Sequence, residues 1–319
     1  MTLVLVTGGA GFIGSHLADE LLKDDFYVRV LDNLSSGSLE NIRHNIGKKS
    51  FEFIKGDLKN LKDIMKAIEN VEIVFHFAAN PEVRVSTTSP EIHFRENVIT
   101  TFNLLEACRK SRNIKKFIFA SSSTVYGDVG VFPTPENQEL RPISVYGASK
   151  VACESLVCSY ANLYGFKAVS LRYANIVGPR LKHGVVYDFL MKLKKNPSIL
   201  EVLGDGTQRK SYLYVSDAIK ATLLVMRRIK GKFEVYNVGN EDWITVAEIA
   251  EIVSSAVGLK PKIIFTGGTS DGRGWLGDVK YMLLDIRRIK SLGWKPKYTS
   301  REAIELTAKI LTKELSFTK

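Results

Sequence analysis

Cysteine is scarce in this chain: Cys108, Cys153 and Cys158 are the only three in 319 residues. They form neither a C-x-x-C pair nor a zinc spacing, which excludes a disulfide-stapled scaffold and a structural zinc site. Buried thiols in a reducing compartment are the simplest reading, so the cytoplasm is the expected location. The histidines, at positions 16, 44, 76, 93 and 183, show no ligand spacing either, and no metal is expected. No apolar run reaches the roughly 18 residues that a membrane span needs, so no membrane association is expected. The amino-terminal stretch Met1 to Thr7 leads straight into a glycine turn and reads as a strand, not a signal peptide. Internal repeats and low-complexity segments are missing too. Acidic residues are in deficit, 34 against 45 basic ones, giving a net charge of +11. The basic residues are nevertheless scattered, with only short clusters at 192–195 and 227–230. A nucleic-acid footprint is concentrated on one face, so a solvated surface is the better reading and no nucleic-acid partner is expected. A basic surface also suits an anionic diphosphate ligand.

What is present begins with ordinary composition, 45% hydrophobic and 25% charged, at a length that fits one large α/β unit and a smaller companion. Leu3 to Val6 is an apolar run of strand length, followed by Thr7-Gly8-Gly9-Ala10-Gly11-Phe12-Ile13-Gly14 and an amphipathic helix to about Leu22. Strand, glycine turn and helix together form a dinucleotide-binding arrangement. The glycines let the backbone turn tightly and approach a pyrophosphate, and the helix N-terminus offers free amides to it. A second strand, Tyr27 to Leu31, ends at Asp32, where a carboxylate accepts from a ribose 2′-hydroxyl and repels a 2′-phosphate. That favours NAD over NADP.

Further strands are predicted at 51–55, 71–77, 116–120 and 167–172, alternating with helices near 61–68 and 91–110 and one that carries Tyr146 and runs to 163. The alternation predicts a doubly wound parallel sheet, the Rossmann arrangement, with right-handed crossovers. Asp57, after the third strand, has two readings: a cap for the helix at 61–68, or a contact with adenine. The small pair Ala78-Ala79 permits close approach of a cofactor. After about Ala174 the rhythm changes, which predicts a nucleotide-binding domain over 1–174, rejoined by about 209–240. A smaller substrate-holding lobe is predicted from 175–208 and 241–319. Helices are expected near 187–194, 218–228 (opened by Asp217), 245–257 and 300–315, with a strand at 235–238 returning to the main sheet.

The chemistry concentrates between Phe119 and Lys150. A strand there runs into the serine cluster at 121–123, at the carboxyl end where open α/β sheets bind ligands. Tyr146 and Lys150 stand four apart on a helix and share a face. A cation beside a phenol favours phenolate and brings a general base toward neutral pH. A Tyr-x-x-x-Lys spacing is expected about once by chance in a chain of this composition, so its weight comes from the serine-rich strand end and the glycine turn.

Taken together these residues resemble the extended short-chain dehydrogenase/reductase family, most closely its UDP-galactose 4-epimerases. The likeness rests on Thr7 to Gly14, Leu31-Asp32-Asn33, Gly56-Asp57-Leu58, His76 to Ala79, Ser121 to Gly127, Tyr146 to Lys150 and Leu171 to Asn175. It implies Tyr146 as base, Lys150 on the nicotinamide ribose and depressing the Tyr146 pKa, and Ser122 on the sugar 4-hydroxyl. Asp32 and Asn33 would hold the adenosine ribose, Asp57 and Leu58 the adenine. Gly8, Gly11, Phe12, Ile13, Gly14, Phe77, Ala78, Ala79, Asn97 and Tyr173 would lie along NAD. Asn175, Val185, Arg209, Lys210, Arg273 and Asp278 would face a UDP-sugar substrate.

The resemblance also implies a homodimer formed through the helices around 91–110 and 144–163. Related dehydratases and decarboxylases carry carboxylates beside the serine, whereas this chain has Thr124, so reversible oxidation at one carbon is what remains. The implied activity is inversion at C4 of a UDP-hexose, with epimerisation of a UDP-N-acetylhexosamine or UDP-uronic acid as the alternative. A nucleotide-bound or RNA-binding scaffold is the reading from a different class. Departures from the family pattern are Pro81 in place of a lysine near the pyrophosphate, Lys210 in place of an arginine with Arg209 beside it, and Trp275 in place of a later arginine. Met282 stands at the position that gates the sugar pocket.

Overall fold

Seven parallel strands form the centre of the molecule, whose residues 1–317 are described by a computed structural model. In spatial order they are Phe233–Val238, Lys167–Tyr173, Lys116–Ser122, Ile73–His76, Leu3–Thr7, Tyr27–Asp32 and Phe51–Lys55. Parallel strands covered on both faces read as continuous apolar runs, and Val4, Val6, Phe75, Phe117 and Ile118 are all fully buried. The chain grows outward through its first three strands and then returns to set Ile73–His76 on the other side of Leu3–Thr7. At that reversal the carboxyl ends of neighbouring strands part and leave a crevice.

Two apolar clusters cover the faces of this sheet. A third cluster joins the helices Gly184–Lys195, Val246–Ala256 and Ser300–Glu314 to the strand Ile199–Leu203. Between the large sheet and this third cluster lie short strands, including Arg209–Lys210 between Ile244–Thr245 and Tyr281–Met282. Among the described residues no helix is long and apolar enough to cross a membrane. Cys108 and Cys153 are buried free thiols, while Cys158 is half-buried.

Several elements depart from the sequence reading. The helix expected over 91–110 is three pieces: one turn at Glu91–His93, a wide π-helical segment at Phe94–Ile99, and a regular helix at Thr100–Ser111. The carbonyl of Asn97, within the wide turn, accepts from the Thr100 backbone and from the hydroxyls of Thr100 and Thr101 at 3.2 and 2.6 Å. The helix expected from Ala218 starts at Val215, so Asp217 lies inside its first turn. Its carboxylate accepts instead from the Lys297 backbone at 2.8 Å. Asp57 does not cap the helix Leu61–Ile68; Asn60 does, accepting from Lys62 N.

Candidate active site

The glycine turn sets one end of the crevice. Gly8 has φ +68, and its N–H donates to Leu31 O at 2.9 Å. A Cβ at Gly8 would stand 2.7 Å from Ala78 N, and one at Gly14 only 2.3 Å from Gly8 O, so side chains there would fill the cradle. Gly11 begins the helix Phe12–Lys23 without any side-chain cap. The first-turn N–H groups of a helix point outward unpaired, which makes this end an anion site. Both oxygens of Asp32 are held, one by Ala10 N at 3.0 Å and the other by Leu34 N at 2.8 Å. Burial raises the Asp32 pKa. Asn33 donates to Asp57 at 3.1 Å, which also accepts from Lys59 N at 2.8 Å, so the two side chains form one rim.

From this rim a single cleft of about 1120 Å³ runs to Ser122, Tyr146 and Lys150. Its walls include Gly8, Gly11, Phe12, Ile13 and Gly14 on one side, with Asp32, Asn33, Asp57 and Leu58 at the rim. Phe77, Ala78, Ala79 and Tyr173 lie along its floor. The glycine cradle, the free amides and the Asp32 rim on this one cleft fit a dinucleotide. Asn175, Val185, Lys210 and Asp278 line its far part.

Local folding brings the catalytic candidates together. Ser144 caps the helix Val145–Tyr164 by accepting from Gly147 N at 3.1 Å. Gly147 lets this helix end lie on the strand end, since a Cβ there would stand 2.6 Å from Thr124 O. Tyr146 N donates to Ser86 Oγ at 3.1 Å, and Lys150 Nζ donates to Ala120 O at 2.8 Å. Ser122 Oγ accepts from the Thr124 hydroxyl at 3.0 Å. Lys150 Nζ stands 5.7 Å from the centre of the Tyr146 ring. Burial pushes the Tyr146 pKa up to about 12, against a smaller lowering by the Ser122 hydroxyl. Burial likewise pushes Lys150 down to about 8. The expected depression of the phenol by Lys150 is therefore absent here. Removing phenolate from water outweighs an ammonium that is itself desolvated and committed to Ala120.

Three expected contacts lie elsewhere. Asn97 is buried away from the cleft; its Nδ2 donates to Ser149 Oγ at 2.9 Å and its Oδ1 accepts from Asn80 N at 2.9 Å. Ser149 in turn donates to Tyr146 O at 2.7 Å, so Asn97 joins the helix of Tyr146 to the loop after Ala79. Arg209 precedes Lys210 on one short strand, and alternation turns them to opposite faces. Lys210 lines the cleft, whereas Arg209 lines a separate surface hollow with Phe132, Trp243 and Tyr281. Arg273 is taken up outside the cleft by Asp128, by Asp271 at 2.6 Å and by the carbonyl of Asp278 at 3.1 Å.

Trp275 lines the cleft where the expectation had placed Arg273, and Met282 lines it as well. Arg84 is a cleft residue that the sequence reading did not single out. The available signal was its place in the loop that follows the carboxyl end of Ile73–His76, where ligand contacts collect.

A model of the NAD dependent epimerase/dehydratase family matches residues 4–239. Among solved structures, a UDP-galactose 4-epimerase is 49% identical, with 98% of this chain and 100% of that one covered and a TM-score of 0.88. The UDP-glucose 4-epimerase of Thermotoga maritima, solved with UDP-glucose, is 35% identical over 98% and 100% of the two chains, also with a TM-score of 0.88. The UDP-N-acetylglucosamine 4-epimerase of Methanobrevibacter ruminantium, solved with UDP-N-acetylmuramic acid, is 33% identical over 98% and 99%, with a TM-score of 0.87. With the dinucleotide cleft and the Ser122, Tyr146 and Lys150 cluster on its walls, the chain belongs to the NAD dependent epimerase/dehydratase family.

Proposed function

We propose that this protein inverts C4 of UDP-galactose and UDP-glucose, using tightly held NAD. The observation that carries the reading is the convergence of Ser122, Tyr146 and Lys150 at one end of the cleft whose other end is the glycine cradle and Asp32. NAD, when bound, supplies the acceptor for the hydride that leaves C4 and later gives it back. Tyr146 takes the proton of the C4 hydroxyl, Ser122 orients that hydroxyl, and Tyr146 returns the proton when the 4-keto sugar presents its other face. Lys150, bound to the Ala120 carbonyl, holds the helix of Tyr146 against the strand of Ser122 and would meet the nicotinamide ribose of the cofactor. Thr124 gives no carboxylate next to Ser122, which supports simple oxidation and return over elimination of water or loss of carbon dioxide.

The helix Gly184–Lys195 opens on the cleft with no side-chain cap, so its first amides, at Val185 among others, suit the UDP diphosphate. The cluster around that helix would form the substrate-holding lobe. A homodimer accords with the exposed Phe94, Phe102, Leu163 and Tyr164 on the helices expected to pair. The test is to mix the protein, alone and with NAD, with UDP-hexoses, UDP-N-acetylhexosamines and UDP-uronic acids and to follow C4 by NMR. Inversion of UDP-galactose and UDP-glucose is expected. No inversion across the panel, with NAD bound, would overturn the reading in favour of another chemistry or a scaffold.

A further inference from the structure

The indole of Trp275 lines the cleft, yet its Nε1–H is buried with no hydrogen-bond partner among the described residues. A buried donor without an acceptor is costly, and in a ligand cleft the ligand is the natural acceptor. Two cations flank the ring: the Arg84 guanidinium and the Lys210 ammonium each lie 5.6 Å from its centre. The position along the cleft follows from two contacts. A side chain at Gly277, two residues on from Trp275, would meet the Ile143 carbonyl at 3.1 Å, so this loop lies against the start of the helix that carries Tyr146. Tyr146 N donates to Ser86, two residues on from Arg84. The loop of Trp275 therefore lies beside the start of the helix that carries Tyr146, on the substrate side of the cleft.

The charges there are already balanced. Arg84 is paired with Glu82 and Asp188, both at 3.1 Å, and Lys210 with Asp278 at 2.5 Å. Burial keeps His183, which faces Glu82 and Asp188, below its ordinary pKa. Both cations beside the indole are thus already paired with carboxylates, and neither is free to take a sugar carboxylate. A neutral N–H suits a hydroxyl oxygen.

Resting on the epimerase reading, we propose that Trp275 is a specificity-determining residue. Its indole N–H donates to an uncharged hydroxyl of the hexosyl group, and the balanced Arg84 and Lys210 pairs beside it disfavour a sugar carboxylate, so UDP-hexoses are preferred over UDP-uronic acids. A site built to hydrogen-bond a group loses much of its affinity when the bond is removed.

The test compares wild type, Trp275→Phe and Trp275→Arg with UDP-glucose and UDP-glucuronate, by turnover and by calorimetric binding. Trp275→Phe keeps the ring and loses the donor; it is expected to weaken UDP-glucose binding and raise KM about tenfold, with kcat and NAD affinity nearly unchanged. Wild type is expected to favour UDP-glucose over UDP-glucuronate by at least about tenfold in kcat/KM, and in binding. Trp275→Arg, which adds a cation, is expected to narrow that ratio. Unchanged UDP-glucose binding in Trp275→Phe would overturn the proposal, and so would equal handling of the uronate by wild type. A wild type that binds UDP-glucose without inverting it would overturn the epimerase reading. The binding ratios would still decide the role of Trp275.

Discussion

Lys150 donates to the carbonyl of Ala120 at 2.8 Å, fastening the helix of Tyr146 to the strand that carries Ser122. This bond keeps a largely inaccessible ammonium in a site where burial lowers its pKa to about 8 from an ordinary 10.5. The folded-state value lies below the unfolded one. The cost of burying the charge is therefore fully present below pH 8 and fades as the pH rises from 8 to 10.5. Lys150→Met should make the cofactor-free protein more stable at pH 7 by about 1–3 kcal/mol while abolishing most turnover. Urea denaturation of both proteins at pH 7, without NAD, checks this. A less stable variant would mean that the bond to Ala120 outweighs desolvation.

Tyr146→Phe should bind NAD normally and lose about 10²–10⁴-fold in kcat, the usual share of a general base. Because burial raises the Tyr146 pKa to about 12, phenolate is scarce at neutral pH, and wild-type turnover should climb as pH increases toward the Lys150 value of about 8. Residual activity of the variant should lack that slope. A pH profile of both proteins decides, and near-wild-type activity in the variant would remove Tyr146 from its role.

Glu154 lies one turn beyond Lys150 and forms a buried ion pair with Arg172, at 2.7 Å with both side chains 6% exposed. Arg172 also donates to the Tyr126 hydroxyl at 2.9 Å, and that hydroxyl donates to Asn237 at 2.7 Å. Breaking one partner of such a pair leaves an uncompensated charge, so Glu154→Gln should cost about 3–5 kcal/mol. Thermal and urea unfolding measure it directly. A loss under about 1 kcal/mol would show that the network around Arg172 does not depend on the carboxylate.

Asp32→Asn should reduce NAD affinity about tenfold and shrink the preference for NAD over NADP. It removes the charge that repels a 2′-phosphate, together with the stronger charge-assisted bond to a ribose hydroxyl. Equilibrium binding of both cofactors tests it. An undiminished preference would place discrimination elsewhere on the rim.

The parts of the site set by short-range spacing were legible in the chain. The glycine spacing of Gly8 to Gly14 between a strand and a helix reads as a tight turn, and the folded backbone indeed leaves no room for a Cβ at Gly8 or Gly14. Tyr146 and Lys150 share a face because helices repeat every 3.6 residues. Assigning Arg209 or Lys210 to the cleft required the register of a two-residue strand against its neighbours, which no local pattern encodes. Arg273 and Trp275 exchanged places because the loop 271–278 is shaped by ion pairs to Asp128 and Asp271, contacts distant or irregular in sequence. Asn97 was legible as important but not in its manner, since its partners Asn80 and Ser149 come together only in the folded protein.

The wide turn at Phe94–Ile99 amounts to one surplus residue in a helix. Deleting a single position there would let the helix close into regular 3.6-residue turns, and everything on its amino-terminal side would swing by about 100° relative to the rest. His93, whose ring packs edge-on against Tyr146 with centres 5.5 Å apart, would leave the catalytic end. Chain length in this helix thus acts as a phase setting: the angular position of one wall of the active site is stored as a residue count.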